Sequence, residues 1–390
     1  MRDVIVIGSG PAGSTAARLL AGRGLDVLVF DREVFPRVKP CGGGLTTRAL
    51  ALLPPNYEDY ICARPTEWIF EGRAGGEIQT RSVHTDQPYS HIVHRASFDQ
   101  WLATEAERQG ATVHTGEAVV AVDEAVGGRG YTVQTKYGTY HARYLVGADG
   151  GRGISARLLG FSRPRNGAAV EVEVPVAPEQ FRQWQDSVTI NIEKYPWGYA
   201  WVIPRRPVLN LGVGSFRAHR LPLRPLLQEW AESKLGPGAL NSLGVLAHPL
   251  PYRYQPARLA KSRSVLVGDA GGLMDTLSAE GIYSALMSAT LAAEAIADAA
   301  PNNGPLQAYD KKLQQQLWPS LRDAGRIGLL FYPLPGFWTK LFVSNPAMIE
   351  QYLRVAQGAA PYSSLLRMGQ QAVLKKAHLR PGRDKGTLSH

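Results

Sequence analysis

Three glycine-bearing strings, each closing an apolar run, lie far apart in this chain and constrain its fold more than any other feature. The first, Gly8-Ser9-Gly10-Pro11-Ala12-Gly13, follows Val4-Ile5-Val6-Ile7. The second, Gly147-Ala148-Asp149-Gly150, follows Tyr144-Leu145-Val146, and the third, Gly268-Asp269-Ala270, follows Val265-Leu266-Val267. Continuous apolar runs of this kind predict strands buried on both faces. The glycines predict tight turns, and the first and third strings lead into helical sequence. One such string is weak evidence. Three in this order predict one sheet that the chain leaves and rejoins.

The first string is the most specific. Residues Gly13–Gly22 read as a helix with small residues towards the strand, and Leu25–Phe30 reads as a second strand that ends at Asp31. In such a βαβ unit Gly8 permits the turn, Gly10 lets backbone approach a pyrophosphate, and Gly13 lets helix and sheet pack closely. Helix N-terminal amides bind the phosphates, and the acid accepts from a ribose. The three turns together outline an extended dinucleotide, FAD.

The remaining sequence is organised around this unit. Trp68–Thr80 predicts a hairpin about Gly72–Gly76, and Arg95–Gly110 predicts a helix with Phe98, Trp101, Leu102 and Ala106 at helical spacing. Val113, Ala118–Val122, Tyr131–Thr135 and Thr139–Val146 predict a short β-meander. Val170–Val174, Val188–Ile192, Ala200–Ile203 and Leu209–Val213 predict a second, mainly β unit. An alanine-rich helix is expected from about Gly281 to Ala300, then mostly helical sequence. The expected division is a discontinuous FAD-binding domain (1–50, 90–165 and 260–300), a β-rich substrate domain (51–89 and 166–259) and a C-terminal helical region with a basic tail (301–390).

Composition excludes several classes. The chain has 390 residues, 44% hydrophobic and 19% charged, and no apolar run long enough for a spanning helix. The first strand begins directly behind Met1-Arg2-Asp3, and Cys41 and Cys62 cannot form a disulfide framework, so a cytoplasmic setting is expected. Net charge is +10, part of it in Arg367, Lys375, Lys376, Arg380, Arg383 and Lys385 against Asp384 alone. That tail reads either as solvated or as attractive to phosphates and anionic lipid. No zinc spacing or RNA-binding signature is present, so neither a metal nor nucleic acid is expected.

These pieces resemble the FAD-dependent oxidoreductases built like p-hydroxybenzoate hydroxylase, and among them the geranylgeranyl reductase family. Four strings carry the resemblance over about residues 1–300. They are the opening glycine motif with Asp31, Lys39-Pro40-Cys41-Gly42-Gly43-Gly44, Tyr199-Ala200-Trp201-Val202-Ile203-Pro204, and Gly268-Asp269-Ala270-Gly271-Gly272 running to Glu280-Gly281-Ile282. The family more often shows Phe where Ile203 stands. The resemblance implies an α/β fold: a Rossmann-like FAD-binding domain interleaved with a mainly antiparallel β substrate domain, plus a C-terminal helical region. It places Gly8, Gly10, Ala12 and Gly13 at the pyrophosphate, Asp31 at the adenosine ribose with Arg32 and Val119 nearby, and Arg95 at the diphosphate or ribityl chain. Asp149 supports the cofactor from the second turn. Gly268 and Asp269 approach the ribityl hydroxyls, and the amides around Gly281 and Ile282 face the pyrimidine end of the flavin, where a helix N-terminus favours the negative charge of the reduced ring.

Three residues are expected at the reaction itself. Cys41, with Gly42, reads either as a thiol beside the flavin or as a small residue filling a tight loop. Tyr199 and Trp201 alternate on a strand and share one face; they line an apolar tunnel or pack a β core. Arg205 and Arg206 at the strand end hold a substrate phosphate or are solvated. The bulky cluster within Arg326–Val343, made of Ile327, Leu329, Leu330, Phe331, Tyr332, Leu334, Phe337, Trp338, Leu341 and Phe342, reads as a portal, a peripheral membrane contact, or buried packing. The activity expected is flavin-dependent reduction of carbon–carbon double bonds in an isoprenoid. No second dinucleotide motif is present, so NADPH would bind transiently or a ferredoxin would supply electrons. Two rivals remain: a flavin monooxygenase or halogenase, weakened because no lysine stands between Cys41 and Arg95, and a non-catalytic prenyl-binding protein, weakened by the intact Asp31, Asp149 and Asp269.

Overall fold

The computed structural model describes residues 1–378 apart from 75, 76, 126, 193, 194 and 344. The tail residues Arg380, Arg383, Asp384 and Lys385, and Gly75-Gly76 of the expected hairpin, lie outside the described residues.

The three glycine strings close neighbouring strands. Thr112–His114, Val27–Phe30, Arg2–Ile7, Thr139–Gly147 and Ser264–Leu266 lie side by side in that spatial order, all parallel. Both faces are covered, which is why these strands are apolar throughout. Val4, Val6, Val27, Val29 and Val146 pack under helices, while Ile5, Ile7, Leu28, Phe30 and Leu145 pack against the antiparallel strands Val119–Glu124 and Tyr131–Thr135. The meander therefore differs from expectation in one member. Val113 belongs to the edge of the parallel sheet, because its short strand pairs only with Val27–Phe30.

The helices Pro11–Ala21 and Ile282–Ala299 share a small-residue interface. Ala12, Ala16 and Ala17 share a buried cluster with Ala285, Ala289, Ala292 and Ala293. This close approach explains the alanine-rich composition of the second helix. The third glycine string makes only one helical turn, Gly268–Gly271, and the long helix starts at Ile282.

A second sheet of seven strands runs in the order Leu246–Tyr252, Arg165–Pro175, Val208–Ser215, Gly198–Arg205, Ser187–Asn191, Glu67–Ala74, Glu77–His84. It is antiparallel except where Ser187–Asn191 meets Glu67–Ala74. One face packs Val170, Val172, Val202, Leu211 and Val213 against Leu227 and Trp230 of the helix Leu223–Leu235. The other face looks back at the first sheet. Between them sits a small sheet of Gly44–Thr46, Ser90–Val93 and Ile61–Ala63. The helices Trp318–Phe331, Pro335–Val343, Pro346–Ala356 and Tyr362–His378 close the remaining side. The observed class is the expected one, α/β with a mainly antiparallel second sheet and a helical C-terminal region. Among the described residues no helix is long and apolar enough to cross a membrane.

Candidate active site

A cavity of about 1120 Å³ lies between the two sheets and the C-terminal helices. It exceeds the usual size of a pocket for one small ligand. Gly8, Gly10, Ala12, Asp31, Arg32, Cys41, Gly42, Arg95, Val119, Asp149, Tyr199, Trp201, Asp269, Gly281 and Ile282 all line it. Gly13 and Gly268 do not; they stand behind the wall. A Cβ on Gly13 would lie 1.8 Å from the Gly8 carbonyl oxygen, and one on Gly268 would meet Ala12 and Ala285 at 3.2 Å. Their contribution is close packing.

At the glycine end, the helix Pro11–Ala21 begins at Gly10 with no side-chain cap, so its first amides are free to bind an anion. Asp31 accepts from the amide and hydroxyl of Ser9 at 2.8 and 2.9 Å, which fixes the carboxylate beside the first turn. The Asp149 carboxylate is taken up locally. It accepts from the amides of Ile154 and Ser155 at 2.7 and 2.8 Å and thereby shapes the second turn. Asp269 makes no side-chain hydrogen bond among the described residues and faces the cavity beside the Gly281 Cα; burial pushes its pKa up, opposed by Lys39 and Arg95. A cavity-facing acceptor without a partner, an uncapped helix start and open glycine turns fit an FAD dinucleotide.

A cluster of cations also stands at this end. Arg95 donates to both oxygens of Asp99 at 2.7 Å, and Arg37 reaches Asp99 at 2.9 Å. Asp99 is wholly buried and Arg95 nearly so. Burial is the largest single influence and opposes the charge of Arg95, but Asp99 and Cys41 together outweigh it, so the guanidinium stays protonated. Arg37 reaches the space over Gly10, 3.4 Å from where its Cβ would stand. Lys39 lies against the His248 ring; burial and then Arg95 lower its pKa to about 8, while burial and Lys39 lower His248 to about 2.

The thiol loop joins the two sheets. The Cys41 amide donates to Glu171 at 2.8 Å, and the buried Arg205 donates to the Cys41 carbonyl and pairs with Glu173. Arg205 therefore secures the loop. This corrects the expectation of a solvated or phosphate-holding arginine. A Cβ on Gly42 would approach Ile203 Cδ1 to 2.6 Å and Trp201 Nε1 to 3.9 Å, so backbone lies directly on the Tyr-x-Trp-x-Ile strand. Cys62 is remote in role: its thiol donates to the Ile92 carbonyl, and burial raises it to about 11.

Tyr199, Trp201 and Ile203 point into the cavity, while Ala200 and Val202 enter the core on the opposite face. The Trp201 indole donates to Asn210 at 2.7 Å and lies over Gly212. Tyr199 donates to the Ser278 carbonyl at 2.5 Å. Beyond them the wall becomes apolar: Trp68, Phe70, Val188, Ile190, Leu330, Phe331, Phe342, Met348, Leu365 and Leu366. Of the bulky C-terminal cluster, Ile327, Leu330, Phe331, Tyr332 and Phe342 line the cavity while Leu329, Leu334 and Phe337 are exposed; Tyr332 and Tyr362 are tied to the loop after Asp269 through Leu277 O (3.0 Å) and Asp275 (2.7 Å).

Several residues in or just behind the cavity wall escaped sequence reasoning. Asp99 was readable as the i+4 partner of Arg95 on one helix. Lys39 and Glu280 stood inside the quoted strings. Glu171, His248 and Tyr362 reach the cavity only through long-range pairing, and no local signal marks them.

Comparison with known proteins agrees with this geometry. A family model described as an FAD binding domain matches residues 1–209. The chain is 32% identical over 342 residues to a menaquinone reductase of Mycobacterium tuberculosis, covering 82% of this chain and 79% of that one. It is 28% identical to the chloroplastic geranylgeranyl diphosphate reductase of Arabidopsis thaliana, covering 84% and 74%. Among solved structures, a geranylgeranyl bacteriochlorophyll reductase-like protein of Thermoplasma acidophilum superposes with a TM-score of 0.78 at 20% identity over 95% of this chain and 99% of that one. A flavin-dependent brominase superposes at 0.72 and 19% identity, covering 96% and 99%. At these identities the structural likenesses establish the fold. The family match and the sequence relatives establish that the chain belongs to the FAD-dependent oxidoreductases of the geranylgeranyl reductase family.

Proposed function

We propose that this protein reduces carbon–carbon double bonds of an isoprenoid chain. The observation that carries the reading is the polarity of the cavity: glycine turns and charged groups at one end, a largely apolar wall at the other, with the thiol loop between. The names of the relatives, a geranylgeranyl diphosphate reductase and a menaquinone reductase, both involve prenyl chains. When bound, the flavin supplies an electron pair and one hydrogen, replenished by NADPH or a ferredoxin.

The protein's own contributions follow from the wall. Gly8, Gly10 and Ala12 would let the backbone approach the pyrophosphate, with Gly13 packing the helix against the first turn behind them, Arg37 and Arg95 facing the charge, and Asp31 and Arg32 at the adenosine end beside Val119. Asp269 accepts from the ribityl hydroxyls, and the amides of Gly281 and Ile282 face the pyrimidine edge. Gly42 and Gly43 let the thiol loop pack tightly on Ile203 and the Val93 carbonyl, and the loop so held would form the wall beside the flat ring, with the Cys41 thiol in it. Tyr199 and Trp201 form the floor on which the alkene is positioned, and the apolar wall excludes water. Leu329 and Leu330 at the end of the helix Trp318–Phe331 and Leu334 in the turn after it, all exposed, offer a route for a lipid from a membrane surface.

The test is anaerobic. The flavin of the purified holoprotein is photoreduced, then mixed with geranylgeranyl diphosphate or with menaquinone. Reoxidation matched by two hydrogens gained in the prenyl chain is expected. No anaerobic reoxidation by either lipid, with reoxidation only when oxygen is afterwards admitted and neither lipid changed, overturns the proposal.

A further inference from the structure

Saturating a double bond needs a proton as well as the electron pair and hydrogen from reduced flavin, so the site requires an acid and a way to refill it. Tyr199 is ill placed for this role. Its hydroxyl already donates to Ser278, and burial pushes its pKa far up, with Tyr352 and Asp275 adding to the effect. Glu280 lies in the cavity wall, one residue before Gly281 and beside the apolar chamber of Tyr352, Tyr362 and Leu365. One carboxyl oxygen meets the Arg48 guanidinium at 3.4 Å, and the other accepts from the Tyr283 amide at the start of the helix Ile282–Ala299. Both partners stabilise the carboxylate left after a proton departs.

Resupply has a structural route. Arg48 lines two spaces at once, the cavity and a shallow hollow of about 410 Å³ formed with Tyr283 and residues Gly358–Pro361. Its guanidinium lies 4.1 Å from the centre of the Tyr283 ring, and its stem fills the space a Cβ on Gly358 would need, at 3.2 Å. Arg48, paired with Glu280 on the cavity side, therefore stands between the cavity and that outer hollow.

We infer that Glu280 is the proton donor of this site and that it is refilled from the surface past Arg48. This rests on the reductase reading. The carboxyl O–H bond breaks and a C–H bond forms at the carbon next to the one that takes hydrogen from reduced flavin. The two electrons come from the flavin, whose own reductant is a nicotinamide or an iron–sulfur protein. The groups facing the carboxyl are Arg48, Asp269 and Asp275, with Tyr352 and Tyr362 from the C-terminal helices beside Arg48. Burial is the largest influence and Arg48 opposes it, which leaves Glu280 at about 7, so a protonated fraction exists at neutral pH.

Glu280→Gln keeps an oxygen for the Tyr283 amide and is the test variant, with Glu280→Asp beside it; flavin content and circular dichroism report folding. The first readout needs no turnover: infrared difference titration of the oxidised holoprotein. A carboxyl C=O band titrating near pH 7 is expected in the natural protein, absent in Glu280→Gln and present in Glu280→Asp. The second is oxidation of reduced flavin by the lipid that the natural protein uses, which should fall about a hundredfold in Glu280→Gln at pH 7. The natural rate should also decline above pH 7 and the variant's should not. A rate within about threefold of the natural protein, an unchanged pH profile, or a persisting infrared band overturns the inference. If the natural protein itself passes no hydrogen to either lipid, the reductase reading fails instead.

Discussion

Removing Asp99 tests which way the two arginines face. Its carboxylate is fully buried, accepts two bonds from Arg95 at 2.7 Å and pairs with Arg37 at 2.9 Å, with those side chains only 7% and 12% exposed. In Asp99→Ala two cations lose their counter-charge with little access to water. Breaking a buried pair in this way costs about 3–5 kcal/mol. That loss applies to the flavin-free protein. If the guanidiniums face the diphosphate, bound FAD restores charge-assisted hydrogen bonds worth about 1.5–3 kcal/mol. The holoprotein should then lose correspondingly less, and by linkage FAD should bind about ten- to a hundredfold tighter to the variant. Urea unfolding of flavin-free and flavin-loaded protein, with a flavin fluorescence titration, measures both halves. Equal losses in the two states, or unchanged or weaker FAD binding, would refute the placement of Arg37 and Arg95 at the phosphates.

Gly212→Ala puts a Cβ 1.9 Å from Trp201 Cζ2, so the indole must leave and Asn210 loses its donor. A loss of about 2–4 kcal/mol with a shifted tryptophan emission spectrum is expected; an unshifted spectrum at full stability would show the indole is not seated there. For Lys39 the folded pKa, about 8, lies below the unfolded 10.5, so the unfolded chain binds more protons between those values and stability rises with pH across that window. In the flavin-free protein the rise should approach about 3 kcal/mol, Lys39→Met should abolish it, and a slope unchanged in the variant would exclude Lys39 as its source. Tyr362→Phe removes a 2.7 Å bond to the buried Asp275. It should cost about 1.5–3 kcal/mol and speed hydrogen exchange in the last helix, and unchanged exchange would sever that link.

The sheet of the dinucleotide unit was legible because its strands are apolar on both faces and end in glycine, a local signal with one solution. The short strand at Val113 was misplaced because three residues cannot say which neighbour they pair with; the edge of the parallel sheet was open and took them. Asp31, Cys41, Tyr199, Trp201 and Asp269 were legible as members of strings and do line one cavity. Their partners were not. The Glu171 contact with Cys41 crosses 130 residues and the Lys39 contact with His248 crosses 209, distances at which only the folded chain supplies the pairing. Arg205 shows the limit from the other side: adjacent to Arg206 it reads as part of a basic pair, yet strand alternation buries it on the thiol loop.

The cavity itself is written into one strand. Val208–Ser215 reads Val-Leu-Asn-Leu-Gly-Val-Gly-Ser, and its alternate members Leu209, Leu211 and Val213 are fully buried in the core on one face. On the other face stand Asn210, Gly212 and Gly214. A strand that places glycine at two successive inward positions gives up packing and backbone rigidity there, at about 0.5–1 kcal/mol each relative to alanine. The Trp201 indole occupies the first vacancy, 1.9 Å from where a Cβ would sit, and its edge lies 3.6 Å from the second. The large aromatic is thus sunk into the sheet, which leaves the space above it open next to Gly42 and the thiol loop. Tyr-x-Trp on one strand and Gly-x-Gly on its neighbour are therefore one device, because the indole needs the missing side chains as much as the cavity needs the indole held down by Asn210.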